Sequence, residues 1–94
     1  MAVFKFSKPV EFDGEKVESI NLDLDSLTGQ DMMMIERQFL SLSRENQANL
    51  MKEFSKEYQI LIAARAAKLP VEFFSSIGAR DFSGITIHVQ NFFL

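Results

Sequence analysis

The chain has 94 residues, of which 47% are hydrophobic, 24% are charged and none is cysteine, and its formal net charge is −3. That length allows one domain with a small core, and the composition is too apolar for a disordered chain. The lack of cysteine excludes disulfides and thiolate metal sites, and the acidic balance with scattered bases excludes the cationic face that a nucleic-acid binder needs.

Residues 3–24 predict a β-hairpin. The first strand carries Phe4, Phe6, Val10 and Phe12, and the second carries Val17, Ile20, Leu22 and Leu24. Asp13-Gly14 between them is a two-residue turn signal, because both residue types tolerate the positive φ of a type I′ turn. That turn creates a parity conflict. It pairs Val10 with Val17 but sets Phe6 against Asn21, which sends the two apolar sets to opposite faces. A one-residue bulge near Pro9 or at Glu18-Ser19, or a longer loop, resolves the conflict. The first ten residues hold Lys5 and Lys8 and no apolar run, so they are not expected to act as a signal peptide.

Asp25 to Gly29 reads as a connector, and Thr28 with Asp31 resembles an N-cap pair. A helix is predicted over about 29–42, with Met32, Ile35, Phe39 and Leu42 on one face and Met33 and Leu40 on another. Residues 43–49 are polar and read either as a loop or as the first turns of the next helix. That second helix is predicted over about 48–68, with Leu50, Phe54, Tyr58, Leu61 and Ile62 as its core stripe and Leu69-Pro70 as its end. A short helix over about 70–77 follows, with Gly78 suited to a left-handed cap. Asp81 suits the N-cap of a last helix over about 81–93, where Phe82, Ile85, Val89, Phe92 and Phe93 share a face. The fold class is therefore α+β, one domain in which a hairpin precedes three to four helices. The most apolar stretch, residues 60–69, is too short to span a membrane and contains Arg65 and Lys68. A soluble, cytoplasmic protein is expected.

Chemistry-bearing patterns are sparse. His88 is the only histidine, at the edge of an apolar helical stripe with no further ligands near it in sequence. Asp13, Glu15, Asp23 and Asp25 read as solvated charges that discourage edge-to-edge strand pairing. The glycines form no phosphate-binding loop and the serines sit in no nucleophile motif. No catalytic, cofactor-binding or metal-binding residue is assigned, and no enzymatic activity is expected.

What the pattern offers is apolar surplus. The second helix carries a back stripe, Ile60, Ala63, Ala64 and Ala67, whose small residues allow another helix to approach closely. Two readings are open: the shorter helices of the same chain cover the stripe, or a partner does. Met32, Met33 and Met34 are consecutive, so at least one faces outward, and Ile87 points away from the apolar face of the last helix. The candidate partner-binding set is Met33, Leu40, Ile60, Ala63, Ala64, Ala67 and Ile87.

The two ends carry a family resemblance. The opening Phe6-Ser-Lys-Pro9-Val10-Glu-Phe12-Asp13-Gly14-Glu-Lys-Val17 leads to Ile20-Asn-Leu22-Asp-Leu24 and the helix start Thr28-Gly29-Gln30-Asp31. The closing Leu69-Pro70-Val71 leads to Ile77, Asp81-Phe82-Ser-Gly84-Ile85-Thr86 and Val89-Gln-Asn-Phe92-Phe93-Leu94. Together they resemble the tail assembly chaperones of contractile-tailed bacteriophages and prophages. Residues 43–58 depart most from that pattern. The resemblance implies binding to the tape measure protein, the helical rod that sets tail length, so that it stays soluble until the tail tube polymerises. It further implies a weak homo-oligomer, a frameshifted long form of the same protein as partner, and the tail tube protein as a further candidate partner. Neither nucleic acid nor membrane is an expected partner. The location it implies is the bacterial host cytoplasm, with absence from the mature virion. The alternative is a structural tail completion or connector protein retained in the virion, and a small enzyme or regulator is a third class.

Overall fold

A computed structural model of the chain describes residues 3–42 and 55–93. Strands β1 (Val3–Phe12) and β2 (Glu15–Asn21) pair antiparallel as a two-stranded sheet. A single 3-10 turn, Leu24–Ser26, follows. Among the described residues come four helices: α1 (Gly29–Leu42), α2 (Lys56–Ala67), α3 (Val71–Ser75) and α4 (Ala79–Phe93). The class is α+β, as the sequence pattern predicts. Leu50, Phe54 and the predicted helix start near residue 48 lie outside the described residues.

Asp13 and Gly14 both have positive φ, 52° and 78°, which a type I′ turn requires. Next to the turn, Val10 faces Val17 and Phe12 faces Glu15; at the open end, Phe4 faces Ile20 and Lys5 faces Ser19. Between these two blocks, residues 6–9 of β1 lie against Glu18 alone. The parity conflict is thus resolved at Pro9, but by three surplus residues rather than one. An odd surplus is what matters, because it brings Phe6, Val10 and Ile20 to the buried side together. The second strand stops at Asn21, short of Leu24. The Leu24 N–H donates to the Leu22 carbonyl at 2.9 Å, and both leucines are buried through this tight bend.

The start of α1 is a reciprocal cap. The Asp31 N–H donates to Thr28 Oγ1 at 3.2 Å, and the Thr28 N–H donates to Asp31 Oδ2 at 2.9 Å. The other oxygen of Asp31 accepts from Arg65 Nε of α2 at 2.8 Å, so one carboxylate both caps α1 and ties it to α2. The Thr28 N–H first, and Arg65 second, hold the Asp31 carboxyl below the usual carboxylate range.

Helix α2 is the centre of the molecule. Its residues Tyr58, Gln59, Ile60, Leu61, Ile62, Ala63 and Ala64 are all buried, as is Ala66. A helix buried on every side has no single apolar stripe. It packs against α1 on one side and α4 on another, with α3, β2 and the 3-10 turn closing the remainder. Phe39 of α1 meets Tyr58 edge-on, with ring centroids 5.2 Å apart. The helix ends in a Schellman arrangement: the Lys68 N–H donates to Arg65 O and the Leu69 N–H to Ala64 O, with Lys68 left-handed at φ 58° and ψ 43°.

Phe73 of α3 joins sheet to helices. Its ring is fully buried, 5.8 Å from that of Phe6, 5.3 Å from that of Phe12 and 5.2 Å from that of Phe74. Helix α4 begins at Ala79, two residues before the predicted start. Gly78 precedes it without a positive φ, and the Gly78 carbonyl accepts from the Phe82 N–H at 2.9 Å. Asp81 is therefore not the N-cap. It lies in the first turn and reaches across to β1, where it accepts from the Ser7 N–H at 3.0 and 3.2 Å and from the Ser7 hydroxyl at 3.2 Å. The β1 irregularity frees that N–H from the ladder, and Asp81 satisfies it.

Candidate functional site

The predicted partner-binding residues divide into three groups. Met33 and Ile87 are exposed, at 54% and 55%. Leu40 and Ala67 are half-buried against the core. Ile60, Ala63 and Ala64 are buried, so the back stripe of α2 is not an open surface. The physical reason is the central position of α2: small residues let a neighbouring helix approach closely, and the chain's own helices make that approach. Of the two readings of the stripe, coverage within the chain is the one observed.

The faces of α1 and α4 also depart from expectation at their ends. Leu42 continues the Ile35–Phe39 core line of α1 but is 53% exposed, and Phe92 and Phe93 are exposed at the end of α4. The two rings stack edge-on at 5.0 Å, covering each other in part. Met34 is exposed too, and its sulfur lies 3.9 Å from Arg37 Nη1.

Leu42 opens onto a groove of about 420 Å³ between the end of α1, the end of α2 and the start of α3. Leu61, Ala64, Leu69, Pro70 and Val71 supply its apolar lining, and Gln38, Arg65 and Glu72 contribute polar atoms. Two local features build it. The left-handed turn at Lys68 swings the chain sharply off α2. Pro70, with extended backbone at φ −69° and ψ 153°, then starts α3. The groove's walls come from three elements, and sequence periodicity does not assemble them. The only advance signal was Leu69-Pro70-Val71, an apolar run at a helix end.

The buried polar groups of α2 and α4 are structural. Gln59, 1% exposed, donates through Nε2 to Gln90 Oε1 at 3.0 Å. Thr86 Oγ1 donates to the Ser83 carbonyl at 3.1 Å and accepts from Lys56 Nζ at 3.4 Å. Each fixes the pairing of the two helices by satisfying groups that would be costly to bury alone. His88 is exposed on α4. Among the described residues, no three His, Asp or Glu side chains gather to hold a metal ion, and no helix is long and apolar enough to cross a membrane. Compared with known proteins, the chain matches no family model, no curated protein and no solved structure.

Proposed function

We propose that this chain is a binding protein without catalytic activity that takes up apolar helical segments, and specifically a phage tail assembly chaperone for the tape measure protein. The observation that carries the reading is the mixed apolar and polar groove beneath Leu42, with the exposed Met34 one turn before its lining residue Gln38. Methionine adapts to varied apolar partners, and a groove between helices is a recognised receptor for an amphipathic helix. The resemblance of the two chain ends to the tail assembly chaperones supplies the client. An unassembled helical rod exposes apolar stripes that aggregate. Many copies bound weakly along it would keep it soluble and still yield to polymerising tube subunits, because avidity without high single-site affinity is reversible copy by copy. On this reading the protein acts in the bacterial cytoplasm, associates weakly with itself and with a frameshifted long form, and leaves before the virion is complete.

Co-expression with the tape measure protein from the same genome tests the proposal. Soluble tape measure protein that carries this chain through purification is expected. An insoluble tape measure with nothing co-purified, both for this chain and for its long form, would overturn it. Mass spectrometry of purified particles separates the chaperone from a retained tail component, since a chaperone is missing from them.

A further inference from the structure

No further inference is drawn: the strongest candidate, the cleft of about 700 Å³ between the β1 irregularity and the first turn of α4, lined by Ser7, Lys8, Ser76 and Arg80, is a helix N-terminus whose one buried charge, Asp81, is already satisfied by Ser7, and no second observation there points to a ligand.

Discussion

The backbone N–H of Ser7 is bound by the carboxylate of Asp81, 74 residues further along the chain. This contact joins the hairpin to the last helix at the point where β1 leaves its ladder. Asp81 is 5% exposed, and hydrogen bonds to a buried charged group contribute about 1.5–3 kcal/mol. Asp81→Ala is expected to lower stability by about 2 kcal/mol, since it removes all three hydrogen bonds between Ser7 and that carboxylate. Asp81→Asn keeps an accepting oxygen and costs less, and Ser7→Ala, which removes only the hydroxyl, costs least. Urea denaturation midpoints give the order. Equal losses for all three would mean that the backbone contact is not what matters.

Gly84 on α4 lies under the ring of Phe4. A Cβ there would sit 3.0 Å from Phe4 Cζ and 3.2 Å from Cε2. Alanine gains about 0.8–1 kcal/mol over glycine in a helix interior, and in the native chain the Phe4 ring has to move for that Cβ, which offsets the gain in part or in full. The stability change of Gly84→Ala is therefore expected to be more favourable in a Phe4→Leu background than in the native chain by at least about 0.5 kcal/mol. A double-mutant cycle measures the difference, and strict additivity would contradict the packing described.

Lys68 closes α2 in the left-handed conformation, which costs an L-residue roughly 1–2 kcal/mol and glycine little. Lys68→Gly loses some of that gain to unfolded-chain entropy, leaving an expected stabilisation of about 0.5–1 kcal/mol. In a domain of this size that raises the melting temperature by about 2–8 °C. A lower melting temperature would contradict the assigned cap.

Asp31 predicts a pH dependence. Its folded-state pKa is depressed, by the Thr28 N–H first and Arg65 second. The sign follows from linkage: the stabilisation is fully present above the unfolded value near pH 4 and is lost as pH falls through the lower folded value. Asp31→Asn should therefore be less stable than the native chain at neutral pH, and the gap should narrow below about pH 4. Guanidinium unfolding at pH 7 and pH 3 tests this, and a constant gap would assign the loss to capping geometry alone.

Much of the architecture is legible in the sequence because it rests on local rules. The Asp13-Gly14 turn, the Thr28–Asp31 cap and the break at Leu69-Pro70 each depend on residues within a few positions of one another. The parity conflict between Val10 and Ile20 also announced an irregularity near Pro9, at Glu18-Ser19 or in the loop, though neither which of the three it would be nor that three residues would be surplus. What the sequence did not disclose depends on distant neighbours. The alanine stripe of α2 fits coverage by the chain itself or by a partner until the chain's own helices close over it, and the pairing of Gln59 with Gln90 has no local signature. Asp81 has the right chemistry for an N-cap, but the free N–H it serves belongs to β1. The groove was invisible for the same reason, since Leu42, Leu61 and Val71 become neighbours only after folding. The two ends of the chain meet at Ser7–Asp81 and Phe4–Gly84, so those residues serve folding.

The most direct test of the proposed client groove is co-purification of the tape measure protein with a Leu42→Asp variant, beside a Val3→Asp control on the hairpin. Leu42 and Val3 are 53% and 65% exposed, so both variants are expected to fold, and circular dichroism with a denaturation curve verifies that. Binding in the groove predicts that Leu42→Asp loses the soluble tape measure while Val3→Asp retains it. Retention by both variants, or loss with Val3→Asp alone, would contradict binding in the groove.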